Sequence, residues 1–190
     1  NESGHVRVYE YNGSNWIQLG QDIDGEAAYD RSGSVSLNFS GERVAIGAEW
    51  NDGNGNESGH VRVYEYNGSN WIQMGQDIDG EAGGDDSGYS VSMNAVGNRL
   101  AIGASANNGN GNESGHVRVY EYNGSNWIQL GQDIDGEAAN DKSGYSVSIN
   151  ADGNRLVIGA LGNDGNGNNS GHIRVYEYNG SNWIQLGQDI

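Results

Sequence analysis

An all-β fold of tandem four-stranded antiparallel blades, a β-propeller or part of one, is what three observations predict. The chain repeats itself, its apolar segments are short and alternating, and tight-turn sequences separate them. The string SGHVRVYEYNGSNWIQ begins at Ser3, Ser58 and Ser114 and returns as SGHIRVYEYNGSNWIQ at Ser170. His5, His60, His116 and His172 mark a period of 55, 56 and 56 residues. A fixed period in this range signals an array of like supersecondary units, so the fold is read from the unit.

The unit from Asp135 to Ile190 supplies four strands. Residues 145–150 alternate Tyr145, Val147 and Ile149 with Ser146 and Ser148, a strand pattern. Ala151-Asp152-Gly153-Asn154 is a hairpin turn. Residues 155–160, RLVIGA, form the second strand, and a glycine-rich loop over 162–171 leads to a third at 172–178. Asn179-Gly180-Ser181-Asn182 is another hairpin turn before a fourth strand at 183–190. Blades stack face to face, so both faces of each sheet are partly apolar, and RLVIGA and HIRVYEY are accordingly not cleanly amphipathic. A β-sandwich has no need of near-identical quarters, and the hairpin turns argue against a solenoid coil. The boundaries are a partial repeat over 1–23, holding third and fourth strands, and full repeats over 24–78, 79–134 and 135–190. Together they form one array of 14 expected strands.

Composition narrows the function. The 190 residues include no Cys, Pro or Thr, 33 Gly, and 26 acidic against 9 basic side chains, a net charge of −17. Such a surface repels phosphate backbones and argues against nucleic-acid binding. High charge with low hydropathy is also a disorder signature, but the regular strand and turn signals outweigh it. No apolar run is long enough to insert in a membrane as a helix. The chain begins and ends inside a repeat, so a longer parent is expected.

Residues 141–147, Asp-Lys-Ser-Gly-Tyr-Ser-Val, followed by Leu156-Val157-Ile158-Gly159-Ala160, resemble the FG-GAP repeat. That repeat builds integrin α-subunit propellers and related bacterial and algal surface proteins. Residues 85–91 with 100–104, and 30–35 with 44–48, are the equivalents, so the resemblance covers all three full units. It implies a seven-bladed propeller, an extracellular or cell-surface location, and adhesion or ligand binding. A ring of that size needs about 28 strands. Further repeats of a longer parent would complete it, or two copies would, or the units form an open array; the first is favoured. Two departures stand out. The family's proline after Gly-Ala is replaced by Glu49, Ser105 and Leu161. The family's calcium loop between the first two strands is absent, because 150–155 is a short hairpin without spaced carboxylates, so no calcium residue carries over. The first unit is also one residue short, lacking the tyrosine found at Tyr89 and Tyr145.

Several residue sets are candidates for chemistry. Asp52, Asn54 and Asn56, and again Asp164, Asn166 and Asn168, place side-chain oxygens at alternate positions, as at the start of a calcium loop. Ca2+ is therefore the candidate cofactor. The middle unit has Asn108 in place of the aspartate, and the plainer reading is a turn held by asparagines. Asp133, Asp135, Glu137 and Asp141 form a second acidic cluster, repeated at 77–85 and 22–30, for which a divalent-ion role is the sharper reading and rim turn chemistry the plainer one. Trp71, Trp127 and Trp183 are read as inter-blade packing, with sugar stacking the sharper alternative. The four histidines start strands and are read as structural. Nine N-x-S sequons occur: Asn12, Asn67, Asn123 and Asn179 at hairpin turns, Asn1, Asn56, Asn112 and Asn168 before Ser-Gly-His, and Asn38. Threefold repetition of every carboxylate pair argues against a glycosidase, and no phosphate loop, nucleophile elbow or HExxH motif is present.

The expected function is a non-enzymatic extracellular repeat protein with an adhesive or structural role, as a surface coat or filament. The alternative is a carbohydrate-binding propeller with a site per blade. Expected partners are other copies or repeats of the same protein and surface glycans or proteins.

Overall fold

The computed structural model describes residues 2–190 and, among them, shows strands and turns but no helix. β1 (His5–Tyr11) and β2 (Trp16–Asp24) form a two-stranded half-blade. The first full blade holds β3 (Ser32–Leu37), β4 (Arg43–Ala48), β5 (His60–Tyr66), β6 (Trp71–Gln73) and β7 (Ile78–Asp79). The second holds β8 (Ser87–Met93), β9 (Arg99–Ala104), β10 (His116–Tyr122), β11 (Trp127–Gln129) and β12 (Ile134–Asp135). The third holds β13 (Ser143–Ile149), β14 (Arg155–Ala160), β15 (His172–Tyr178) and β16 (Trp183–Gln185). Every ladder among the described residues is antiparallel, between chain neighbours except where β7 rejoins β5 and β12 rejoins β10, giving a blade-like, propeller-type array that does not close on itself.

Two details differ from the sequence expectation. The fourth strand is continuous only in the half-blade; in the first two blades it breaks and resumes at β7 and β12, so 16 strands replace the expected 14. Gly75 and Gly131 sit at the breaks with φ of 73° and 82°, a conformation that glycine adopts without strain. The inner strand begins two residues early, at Ser143, with a bulge between Ser143 and Ser146. In the first blade the bulge lies between Ser32 and Ser34, one residue shorter, which accounts for the missing tyrosine.

Burial occurs between blades. Val44 and Ile46 pack back onto Val6, Val8 and Ile23, while Ala45 between them packs forward onto Leu100, Ile102 and Trp127. Alternate residues of one strand thus fill opposite gaps, and this is why RVAIGA is apolar throughout. Each gap is also hydrogen bonded. The Trp127 indole N–H donates to the Met74 carbonyl at 2.9 Å. The Gln76 carboxamide donates to the Trp127 carbonyl at 2.9 Å and accepts from its backbone N–H at 3.2 Å, as another strand would. Gln21 with Trp71 and Gln132 with Trp183 repeat the arrangement. Nearer the axis the backbones almost touch: a Cβ on Gly103 would collide with the Gly144 carbonyl.

One position breaks the charge pattern of the repeat. Lys142 pairs with Glu113 at 3.0 Å, and Arg31 lies 3.7 Å from Glu49. The second blade has Asp86 there instead. Burial, then the carboxylates of Glu49, Glu57, Asp85 and Glu113, push its carboxyl up to about 6. The folded state therefore holds a proton that the unfolded state releases. Asp86 favours folding at low pH, and that contribution is lost as pH rises through about 6.

Two outcomes follow. Asp86→Lys is expected to stabilise the fold near neutral pH by about 0.5–1 kcal/mol, as for a partly exposed ion pair, with the gain fading at acid pH. Urea unfolding at several pH values checks this, and a pH-independent gain would contradict it. Trp127→Ala is expected to cost about 3–5 kcal/mol. Trp16→Ala, on an open face, is expected to cost no more than about 0.5 kcal/mol in the same assay.

Candidate functional site

In the three full blades the third strand opens with a histidine whose ring is folded into the blade junction. The His60 and His116 side chains are 2 % exposed and that of His172 is 8 % exposed. In β5, His60 stands between Ala48 of the neighbouring strand and Asp79 of the outer one. Its Nδ1 faces Oε2 of Glu26 at 3.8 Å, and Glu26 arrives from the linker that enters the blade. Asp77, in the break of the outer strand, supplies the third group. Glu81, His116 and Asp133 repeat the set, as do Glu137, His172 and Asp189. In each set, one donor atom per residue lies within 4.8 Å of the others.

The carboxylates are held from behind. Gln129 Nε2 donates to Oδ1 of Asp133 at 2.6 Å, and Gln185 does the same to Asp189 at 2.8 Å, leaving Asp189 Oδ2 3.7 Å from His172 Nδ1. Arg62 donates to the Asp24 carbonyl at 2.8 Å and lies 3.4 Å from Glu26 Oε1. Arg118 and Arg174 hold the next two linkers in the same way. The Nε2 atoms of His60, His116 and His172 are buried without a hydrogen-bond partner. Burial, aided by the adjacent Arg62 and Arg118, pushes the His60 and His116 imidazoles below their usual range and favours the neutral ring. In the half-blade, His5 is exposed and Arg7 closes on Asp22 at 2.8 Å, holding that carboxyl down at about 2.

The sequence-proposed residues fall elsewhere. Asp52 and Asp164 each accept a backbone N–H through Oδ1, from Glu57 at 2.8 Å and Asn169 at 2.7 Å. Asn108 does the same for Glu113 at 2.8 Å, so the turn needs the oxygen and not the charge. Asn54 donates to the Gly80 and Glu81 carbonyls of the next linker, and the Asn166 backbone N–H donates to the Ser170 hydroxyl. Asn56 and Asn168 are exposed. The second acidic cluster separates: Asp141 is buried and clamps Ala138 N and Asn163, whereas Glu137 turns to His172 and Asp133 to His116.

Sugar stacking on Trp71, Trp127 and Trp183 is corrected by the structure. All three are 2 % exposed and packed into the blade gaps, so these tryptophans offer no stacking platform. Asn12, Asn67, Asn123 and Asn179 are exposed at the outer hairpin turns, where each side-chain oxygen accepts two backbone N–H groups. Asn38 donates to Ser40 and Val96, and Asn1 lies outside the described residues. The histidine triads are what sequence reasoning missed. Their one signal is the constant step of 17 residues from His60 to Asp77, His116 to Asp133 and His172 to Asp189.

A family model described as the FG-GAP repeat matches residues 134–176. No curated protein matches the chain. Among solved structures, a putative 6-phosphogluconolactonase from Bacteroides uniformis ATCC 8492 superposes with a TM-score of 0.66 at 13 % identity, over 99 % of this chain and 49 % of that one. A complex of KlAtg21 with the coiled coil of AgAtg16 superposes with a TM-score of 0.64 at 12 % identity, over 98 % and 52 %. Identity this low shows the fold alone, and the chain spans about half the length of these structures. The family match falls on the third unit, which is therefore similar to an FG-GAP repeat, and that unit's motifs recur in the two units before it.

Proposed function

We propose that this chain is a non-enzymatic extracellular module that extends by stacking like units and presents an acidic surface for adhesion or as part of a coat. One observation carries the reading: the two ends of the array are unlike, and each is the counterpart of a buried face. Val61 and Ile78 of the first blade are 0 % and 3 % exposed beneath the second. Their equivalents on the third blade, Ile173 and Ile190, are 43 % and 78 % exposed and line an open cleft of about 360 Å³ with Tyr145 and Leu161. At the other end Trp16 is 68 % exposed, although Trp71, in the same place one unit later, is 2 % exposed.

A face of this kind accepts another unit head to tail, and head-to-tail contacts produce rings or filaments. The net charge of −17 disfavours indiscriminate clumping, so the apolar ends direct association. Repeated copies of one surface give avidity without a specialised pocket, which suits adhesion. The FG-GAP match supports the surface setting.

Light scattering on the 190-residue chain tests the proposal. Association at micromolar concentration is expected, and Ile173→Asp or Trp16→Asp is expected to return the chain to a folded monomer. A wild-type chain that stays monomeric would contradict self-assembly and leave only further repeats of its own chain to cover the ends.

A further inference from the structure

We infer that each full blade junction is a binding site for a divalent transition-type metal ion of the zinc class. The sites are Glu26–His60–Asp77, Glu81–His116–Asp133 and Glu137–His172–Asp189. This goes beyond the assembly proposal and does not rest on it.

The first argument is distance. The Nδ1-to-carboxylate separations of 3.7–3.8 Å are too long for hydrogen bonds. They suit two ligands of one ion: at about 2.1 Å from a tetrahedral metal, neighbouring donors lie about 3.4 Å apart.

The second is burial. Each imidazole is more than nine-tenths buried, yet no hydrogen bond reaches either ring nitrogen among the described residues. In all three blades Nδ1 is the ring nitrogen aimed at the carboxylates, and it forms no hydrogen bond there. The exposed glutamates leave the site open to solvent.

The third is the division of labour on the carboxylates. In the third blade, Gln185 holds one oxygen of Asp189 and Arg174 lies against Glu137 Oε1, while the other oxygen of each faces Nδ1. Outer groups that orient ligands in this way are the mark of a metal centre. A neutral imidazole with two carboxylates selects zinc, cobalt or manganese over calcium, which prefers six or more oxygens. One ligand comes from the linker and two from the blade it enters, so the ion would staple the chain at each junction.

The test is equilibrium dialysis and calorimetry of the chelator-stripped chain with zinc chloride. Three ions per chain are expected, undiminished by excess calcium, together with a raised unfolding temperature. Cobalt is expected to give the visible absorption of a low-coordinate nitrogen and oxygen site, which loose binding to the acidic surface would not. His116→Phe should reduce the stoichiometry to two. Should that variant not fold, Glu81→Gln with Asp133→Asn removes both carboxylates of the same site and should give the same count. Gln129→Ala should weaken that one site by about 10–100-fold. Asp52→Asn with Asp164→Asn should leave all three sites intact. The proposal is overturned if no saturable zinc binding appears, or if the count of three survives both the His116 and the paired carboxylate variants.

Discussion

Everything in this molecule depends on the tryptophan that pins each blade to the one before it. Trp71, Trp127 and Trp183 bury a large ring where two sheets face each other, and each indole N–H finds a carbonyl of the preceding blade at 2.8–2.9 Å. The partner carbonyl lies where the outer strand breaks in the first two full blades and shifts register in the half-blade, and the glutamine two residues later reaches across the gap. A two-point amide bond from Gln21, Gln76 or Gln132 then sets the height of the next outer strand. Apolar burial alone is non-directional. This polar frame around it gives each blade a single seating.

The inner part of the gap needs the opposite device. Near the axis the blades converge, and side chains give way to backbone. Gly47 faces the Gly88 carbonyl and Gly103 the Gly144 carbonyl so closely that no Cβ fits. The next inner strand bulges at that point, and Ser36 and Ser92 reach forward to accept from Met93 and Ile149 N–H at 2.9 and 3.0 Å. The serines that alternate with apolar residues along the inner strand are therefore bonding groups between blades. Wedge-shaped packing, bulky at the rim and glycine-thin at the axis, turns a stack of sheets into a curved array.

Much of the fold was legible because the repeat placed strand and turn signals in fixed order, and the third-strand boundaries at His172 and Tyr178 agree with the structure. The broken outer strand was not legible. WIQLGQDI reads as one alternating run, yet it is continuous only in β2 and is interrupted after Gln73 and Gln129, around Gly75 and Gly131. The site was legible in its parts and not as a whole. Glu137, His172 and Asp189 lie on a linker, a third strand and an outer edge, and neither period nor composition says that these meet. The glycine-rich loop drew attention because its oxygens alternate in sequence, whereas its side chains bond their own turn.

Placing the triads at junctions ties the site to the assembly. A triad needs a linker from the unit before, and Arg7 shows what happens without one. Its guanidinium, with no incoming carbonyl of the kind Asp24 offers Arg62, closes on Asp22. A linker delivered ahead of β1 by another unit would draw Arg7 to its carbonyl and bring a glutamate to His5 and Asp22. Burying Trp16 and completing that junction would then be one event, in which packing and ligand assembly depend on the same neighbour.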